Sequence, residues 1–421
     1  MRVTLSKGGY VLVTVPMADY VAADKLGDGD IAKTPDFVHK RLVPNHPVRG
    51  TPFPGMPDLN DGAVHQDEFV AFLKAKLPGA FASDPARVMF SLDNEADIWN
   101  VTHPRLMGSA EEKAAPMTAQ AYFERASAYA QAVKSVAPNA LVFGPASYGW
   151  AGMRAFQNAD DKKADFLDNF LSLMQSEDKR TGHRLLDVLD IHWYPSDQVG
   201  DKGITGTESD EAIRIARMNA PRSLWDRRFV EPSWIGKWFK SVQLIPRLRQ
   251  EINRTYPGTA IAITEYNYGG PDDISGGIAE TDVLGIFGRE GVFAACHWPM
   301  TDTMSFIHGG MAMFRNFDGQ GGRFGDVSVR ATSDDTITTS VYASKSSSAP
   351  SKLVVVLINK NDTPITAAVH IDGNSAFGSA HLYALTGASP LPEDRGALTA
   401  VGKNDFSVPM PKYSVMTMVV D

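Results

Sequence analysis

The sequence predicts an α/β protein with a (β/α)8-type (TIM) barrel followed by an all-β sandwich. Strand-like apolar runs alternate with helical patterns between residues 10 and 298, as is typical of parallel strands covered by helices. Polar and aromatic residues follow the C-terminal ends of these runs, where a (β/α)8 barrel carries its active site. From Gly309 onward, short β-branched runs between turn residues replace the helical pattern. We therefore expect a barrel domain over residues 1–308 and a sandwich domain over 309–421.

Six strands are expected in the barrel, and each is an apolar run bounded by turn residues. They lie at residues 10–15, 87–90, 141–144, 185–191, 260–264 and 292–295. The residues between the first two strands, 19–62, are too many for a plain connection, so we expect that segment to be functional or to carry small elements of its own.

Helical spacing of apolar residues predicts the segments between the strands. Thr118 is placed to cap a helix that continues through Val136, and another pattern begins near Ile235 and is interrupted at Pro246. Trp225, Trp234 and Trp238 are expected to be packing residues. In the sandwich we expect strands near residues 327–329, 340–343, 353–358, 366–371, 381–385 and 415–420. This module contains none of the seven tryptophans, which favours a structural role over glycan binding.

Composition excludes several classes of protein. The chain has 421 residues, 43% of them hydrophobic, and a net charge of −8. Its charges are interspersed without the basic stripe of a nucleic-acid surface, and no apolar run is long enough to span a membrane. The single cysteine, Cys296, leaves no internal disulfide and is expected to be a buried thiol. No signal peptide is recognised in the chain.

Two glutamates suggest the chemistry. Glu95 and Glu265 each follow an apolar strand and are each accompanied by aromatic residues. Two carboxyls at the mouth of a barrel are the groups that glycoside hydrolysis requires, one to protonate the leaving oxygen and one to meet the developing positive charge. Either residue alone could equally be a buried ion-pair partner. Aromatic residues after the strand ends could bind sugar rings, namely Trp99, Trp150, Trp193, Tyr266, Tyr268 and Trp298.

Other polar groups leave alternatives open. For His192 and His297, a core histidine and a site residue are comparable interpretations, and metal ligation is the weakest. Asp58, Asn60, Asp61 and Gly62 are compatible with calcium, but their spacing does not fit an EF-hand, so turn chemistry is favoured.

Several stretches resemble glycoside hydrolase family 44, the endoglucanases and xyloglucanases. The resemblance runs from residue 9 into the β module, over Gly9–Lys25, Ser91–Trp99 with Thr102–Arg105, Phe143–Trp150, Leu186–Pro195, Ala220–Trp225 and Ile263–Ala279.

The resemblance implies a retaining hydrolase with a (β/α)8 barrel and a β-sandwich. On the family pattern Glu95 matches the general acid/base after barrel strand four, and Glu265 matches the nucleophile after strand seven. Asn94 matches the residue that bonds the sugar 2-hydroxyl. Tyr194 matches the residue that orients the nucleophile, and His192 and Trp298 match substrate-side residues.

The same numbering makes the strand at residues 10–15 the third, so the first two barrel strands are expected to be missing. Three explanations are compatible with this: a shortened gene model, which is favoured, a partner that supplies the strands, or a degraded relative.

The main hypothesis is a retaining endo-β-1,4-glucanase that acts on cellulose- or xyloglucan-type β-glucans. The alternative is a glycan-binding relative with impaired catalysis because its barrel is truncated, and the plainest alternative is a structural protein without a sugar site. We expect no cofactor in the chemistry, although a structural calcium would be compatible. We also expect a monomer that binds neither nucleic acid nor membranes, and the resemblance implies an extracellular location.

Overall fold

The computed structural model describes residues 1–24, 29, 31–50, 56–103, 117–158, 165–373 and 375–420. Lys25, Pro104 and Arg105, which belong to the resembling stretches, lie outside this set. The chain divides into two compact units: one comprises Met1–Trp193, Leu248–Glu265 and Phe293–Cys296, and the other comprises Tyr194–Arg247, Tyr266–Val292 and His297–Asp421. A search of the described helices finds none with the length and apolar character needed to cross a membrane.

The strands are, in chain order, β1 Val11–Val15, β2 Tyr20–Ala22, β3 Leu42–His46, β4 Val64–His65, β5 Val88–Leu92, β6 Val142–Ser147, β7 Val188–Trp193, β8 Gln198–Val199, β9 Lys202–Gly203, β10 Ala260–Tyr266, β11 Ala294–His297, β12 Val327–Val329, β13 Thr339–Ser346, β14 Ala349–Asn359, β15 Ile365–His370, β16 Ser379–Thr386, β17 Ser389–Thr399, β18 Asp405–Met410 and β19 Ser414–Val420.

The α-helices are α1 Arg2–Ser6, α2 Phe37–Arg41, α3 Gln66–Lys76, α4 Pro78–Phe81, α5 Trp99–Thr102, α6 Ala119–Val136, α7 Trp150–Arg154, α8 Phe166–Thr181, α9 Glu211–Asn219, α10 Trp234–Phe239, α11 Leu244–Thr255, α12 Ile274–Glu290 and α13 Ser305–Arg315. Single turns of 3-10 helix occur at Ile31–Lys33, Ala96–Ile98, Phe156–Asn158 and Ala220–Leu224.

A six-stranded sheet organises the first unit, and its strand order is β1-β5-β6-β7-β10-β11. The pairs β1–β5, β5–β6 and β6–β7 are parallel. All six predicted strands are present, with bounds shifted by a few residues. The middle strands β5, β6 and β7 are buried along their whole length, because parallel strands flanked on both sides leave no face to solvent. The sheet fits an incomplete barrel of the TIM type.

The two outermost strands of this sheet, β1 and β11, each have a single neighbour in it. Tyr10 beside β1 is 54% exposed, and Phe293 beside β11 is 48% exposed. Cys296 on β11 is also exposed. The prediction of a buried thiol was therefore wrong, since an apolar run at a sheet edge is covered on fewer sides than one at its centre.

Capping and backbone geometry explain the helix bounds. Thr118 caps α6 as predicted, because its side chain accepts the N–H of Ala121. The predicted interruption at Pro246 was wrong. The break between α10 and α11 lies at residues 240–243, where Lys240 and Gln243 have positive φ angles. Pro246 is instead the third residue of α11, within the first turn, where a missing N–H costs no intrahelical bond.

Helix α10 also corrects the packing assignment of two tryptophans. Ile235 and Gly236 are the buried residues of this short helix. Trp234 and Trp238 are 47% and 71% exposed, because residues four apart share one face of a helix and the buried face belongs to Ile235. Trp225 does pack, and the guanidinium of Arg289 lies 4.2 Å from its ring centroid.

The second unit contains the β module. One sheet has the order β12-β13-β14-β19-β16-β17, and β15 pairs with β18 in another. Side chains of both sheets share one hydrophobic core, which includes Val355 and Met418 of the larger sheet and Phe406 and Val408 of the smaller. Helix α13 packs on β16, β17 and β19. It continues across residue 309, where a loss of helical periodicity had been predicted.

Candidate active site

Glu95 is placed by a tight turn at the end of β5. Asp93 and Glu95 adopt φ angles of 60° and 49°, a left-handed conformation that non-glycine residues rarely adopt and that clusters at functional sites. The Asp93 carboxylate accepts the N–H groups of Met17 and Asn94, and the N–H of Glu95 donates to Ala146 O at 3.0 Å. The neighbouring strands therefore hold this turn in place.

His192 and Glu265 occupy corresponding positions on adjacent strands. Each is the penultimate residue of its strand, β7 and β10 respectively. The His192 side chain is 1% exposed, whereas those of Glu95 and Glu265 are 21% and 17% exposed. Both carboxyls can thus be reached from solvent, while the imidazole lies behind them.

The three side chains converge on one point. His192 Nδ1 lies 2.8 Å from Glu95 Oε1 and 3.4 Å from Glu265 Oε2. One ligand-type atom from each residue lies within 4.8 Å of those of the other two. Two glutamates that are 170 positions apart in the chain therefore meet across a gap of a few ångströms, with an imidazole against both.

Nearby negative charges favour the protonated form of the His192 imidazole. Burial lowers the pKa of His192, but the hydrogen bond to Glu95 and the negative charges of Glu265, Asp190 and Glu95 outweigh burial, and the pKa is raised overall. A protonated His192 would partly balance the two glutamates.

A carboxyl that the sequence analysis did not single out lies beneath this group. Asp190 on β7 is fully buried, and both of its carboxylate oxygens lie within 2.9 Å of Thr264 Oγ1 on β10. Burial raises the pKa of Asp190 to about 6, although His192 and Thr264 favour the ionised form. An acidic residue inside an apolar run is the sequence signal that could have revealed it.

Asp97 is a second acid close to the site. Its carboxylate accepts the N–H of Tyr148 at 3.1 Å, and the residue is 3% exposed. Burial raises its pKa to about 7, and the charge of Glu95 acts in the same direction.

The predicted sugar-contacting residues of the first unit differ in exposure. Asn94 is exposed. Trp99 is 1% exposed, and its indole N–H donates to Asn94 O at 3.0 Å. Trp150 is 4% exposed. The two indoles present little surface to solvent, and Trp99 fixes the backbone beside Glu95. Their contact with substrate stays a prediction.

The remaining predicted residues belong to the second unit. Trp298 is 49% exposed and Tyr194 is half-buried. Tyr266 is 2% exposed, its hydroxyl donates to Glu280 at 2.8 Å, and its ring meets those of Phe287 and His297 edge-on. Substrate contact by these residues also stays a prediction.

His297 is held neutral. Burial, followed by the nearby charge of His308, lowers its pKa to about 4. Its ring packs on Tyr266, with ring centroids 5.4 Å apart.

Two groups in the described chain could offer three ligands to a metal ion. One is Glu95, His192 and Glu265, and the other is Asp61, His65 and Glu68. In the second group Glu68 pairs with Arg49, and Asp61 accepts the N–H of Ala63 two residues on. The bond from the Ala63 N–H to Asp61 is a turn contact of the kind that the sequence favoured over calcium binding in this segment.

Comparison with known proteins identifies the family of the chain. The model for glycoside hydrolase family 44 matches residues 1–197. Endoglucanase A of Paenibacillus lautus is 38% identical over 426 aligned positions, which cover 99% of this chain and 60% of the relative. The chain therefore spans about three-fifths of the length of that relative.

Solved structures of similar proteins belong to the same family. A family 44 xyloglucanase from Paenibacillus polymyxa is 35% identical with a TM-score of 0.92, and all of this chain matches 82% of it. A family 44 endoglucanase from Clostridium thermocellum is 36% identical with a TM-score of 0.91, and all of this chain matches 83% of it. With its whole length aligned to such relatives, this chain belongs to glycoside hydrolase family 44.

Proposed function

We propose that this chain is a retaining endo-β-1,4-glucanase in which Glu265 is the nucleophile and Glu95 is the general acid/base. The observation that carries the proposal is the approach of the two carboxyls: one oxygen of each lies within 4.8 Å of the other. Retaining glycosidases keep their two carboxyl groups about 5–5.5 Å apart, whereas inverting enzymes leave roughly 6.5–9.5 Å for a water molecule.

In the proposed reaction, a Glu265 oxygen attacks the anomeric carbon while Glu95 donates its proton to the departing glycosidic oxygen. The C–O bond to the leaving sugar breaks, and an ester to Glu265 forms. Water then attacks the same carbon, Glu95 takes its proton, and the ester bond breaks to release the sugar with its original anomeric configuration.

His192 has a supporting role in this scheme. Its Nδ1, 2.8 Å from Glu95 and 3.4 Å from Glu265, orients both carboxyls. A protonated ring also favours the ionised form of the nucleophile. The assignment of the two glutamate roles follows the family pattern.

The proposed substrate is a cellulose- or xyloglucan-type β-glucan. The P. polymyxa relative has a structure with xyloglucan, and the P. lautus relative is named an endoglucanase. We propose that Asn94, Trp99, Trp150, Tyr194, Tyr266 and Trp298 contribute to sugar binding. No observation on the described residues favours the non-catalytic alternative, since both carboxyls are present and close together. We further propose a secreted monomer that needs no cofactor for its chemistry and binds neither nucleic acid nor membranes.

The decisive experiment replaces Glu265 with glutamine. Glu265→Gln should abolish the release of reducing ends from carboxymethylcellulose and xyloglucan, because an amide cannot form the ester intermediate. Glu393→Gln, at a half-exposed position on β17, is the matched control and should keep full activity. Unchanged circular dichroism would show that both variants fold, and activity retained by Glu265→Gln would reject the assignment. Proton NMR of the first product should show a retained anomeric configuration; an inverted one would exclude the mechanism.

We also propose the finer description of the fold: a family barrel without its first two strands over residues 1–308, and a β-sandwich over 309–421. The single neighbours of β1 and β11 and the exposure of Tyr10 and Phe293 support the first part. The core shared by two sheets supports the second. Amide hydrogen exchange should be fast at alternate residues of β1 and β11, such as Leu12, and full protection along both strands would contradict the open barrel.

A further inference from the structure

Two acidic side chains of the second unit are buried without a positive partner. Asp197 is 1% exposed and Glu231 is 2% exposed. Neither residue takes part in any ion pair found in the described part of the chain. Buried carboxyls are costly unless they are paired, protonated or bound to a metal, so this pair requires an explanation that the proposed hydrolysis does not supply.

Backbone contacts bring the two residues together. The N–H of Ser196 donates to Glu231 Oε1 at 3.1 Å, and the N–H of Gln198 donates to Pro232 O at 3.2 Å. Asp197 lies between these two contacts in the chain. The short segment around Asp197 therefore runs alongside the segment around Glu231.

The hydrogen bonds leave three carboxylate oxygens unsatisfied. Glu231 Oε1 also accepts the Ser233 hydroxyl at 2.7 Å, so this oxygen has two donors. Glu231 Oε2 and both carboxylate oxygens of Asp197 are buried and have no hydrogen-bond partner among the described residues. Orphaned oxygens of this kind are rare in folded proteins, and an unseen ion is one of the standard reasons for them.

The charges of Asp197 and Glu231 indicate whether a proton or a metal ion lies between them. Both carboxyl groups are buried with no cationic side chain bonded to them in the described part of the chain, so their negative charges are disfavoured by burial and by each other. A proton shared between the two residues would leave one negative charge buried and one oxygen unsatisfied. A divalent cation would neutralise both carboxylates and could use all three free oxygens.

We propose that Asp197 and Glu231 bind a divalent cation of the calcium type, which joins the start and the end of the segment between them. The available donors are carboxylate oxygens, and hard cations prefer such ligands. Calcium tolerates irregular and bidentate carboxylate coordination better than magnesium, which demands a near-ideal octahedron. The Asp61, His65 and Glu68 group is the weaker candidate, because its Glu68 already pairs with Arg49. The proposal does not depend on the proposed hydrolase activity.

The test uses the full chain, stripped with chelator and titrated with calcium chloride alone. Equilibrium dialysis should count one calcium ion fewer for Asp197→Asn than for the wild type. Saturating calcium should raise the melting temperature of the wild type by about 3 °C at a hundredfold excess over Kd, and this rise should vanish in Asp197→Asn. Asp61→Asn is the matched control, and it should keep the full rise.

A second variant and a measurement on the wild type distinguish the loss of a calcium site from misfolding of the Asp197→Asn variant. Glu231→Gln should lose the same calcium ion as Asp197→Asn. Terbium luminescence excited through tryptophan in the wild type should appear on adding the lanthanide and disappear with excess calcium. A melting temperature of the stripped wild type that does not respond to calcium would overturn the proposal without reference to any variant. Equal calcium counts in the wild type and Asp197→Asn would also overturn it and would leave a shared proton as the explanation.

Discussion

Replacing Asp190 with asparagine should stabilise the protein. The carboxyl is fully buried and both of its oxygens lie against the Thr264 hydroxyl. Asparagine has nearly the same shape and keeps an oxygen to accept that hydrogen bond. The substitution therefore removes a buried negative charge while the packing stays almost unchanged.

The magnitude follows from the pKa of about 6 that burial gives Asp190 in the folded protein, against about 3.9 in an unfolded chain. For a carboxyl, a folded pKa above the unfolded value means that ionisation disfavours the fold. This penalty is absent below about pH 4, grows as the pH rises and is complete above about pH 6. Two pKa units correspond to about 3 kcal/mol of free energy. The asparagine side chain would carry an unsatisfied N–H, which costs about 1 kcal/mol. We therefore expect Asp190→Asn to gain about 2 kcal/mol at pH 8.

The same variant should narrow the pH range in which the protein is active, although it stabilises the fold. The charge of Asp190 is one of the interactions that raise the pKa of His192. Without that charge the pKa of His192 falls, so the ring loses its proton at a lower pH. The alkaline limb of the kcat/KM profile should then move to lower pH, whereas a purely structural role would change activity equally at every pH.

Urea unfolding at pH 4 and pH 8 measures the stability effect. At pH 4 the variant should be about 1 kcal/mol less stable than the wild type, because the charge penalty is absent there and the unsatisfied amide N–H remains. Asp187→Asn is the matched control just before β7. Asp187 accepts a hydrogen bond from Lys134 Nζ at 2.7 Å, so its loss should destabilise the protein. An Asp190→Asn protein that is less stable than the wild type at pH 8, or equally changed at both pH values, would refute the electrostatic reasoning.

Two further predictions concern the stability of the second unit. Lys360→Met leaves Asp282 buried without the ammonium that bonds it, since the two side chains are 3% and 2% exposed; unfolding free energy measured in urea should fall by about 3–5 kcal/mol, and an unchanged value would show that this pair is not a buried ion pair. Gly276→Ala places a Cβ 2.0 Å from Gly270 O and should cost about 1–3 kcal/mol. Gly288→Ala in the same helix meets nothing within 4 Å and should be neutral or stabilising; if both alanines cost the same, steric overlap is not the cause.

The central strands of the first sheet could be predicted because burial on both faces requires uninterrupted apolar runs, as in residues 88–90. The β module was predicted less completely. Strand β17, Ser389–Thr399, contains two prolines and four charged or glycine residues at positions 393–396, which are typical of a turn. It forms because β16 pairs with it in a hairpin that turns at residues 387–388, and pairing with a partner strand outweighs the low strand propensity of these residues.

The residues of the candidate site were also predicted only in part. Glu95, Glu265 and His192 were identified because each lies at or just beyond the C-terminal end of a strand, and the carboxyl ends of parallel strands meet at one edge. Asp190 lies inside such a strand, where only its polarity distinguishes it. Asp197 and Glu231 lie 34 positions apart in irregular segments, so no periodicity links them, and their proximity depends on the backbone contacts of Ser196 and Gln198.

The contact of one imidazole with both glutamates has a consequence for inhibition. An iminosugar of the isofagomine type carries a cationic nitrogen at the position of the anomeric carbon, and this nitrogen would bind the same carboxylate oxygens as a protonated His192. The two positive charges repel each other, so binding such a compound should expel the proton of the ring. Its affinity should therefore increase with pH until the histidine is neutral and then level off.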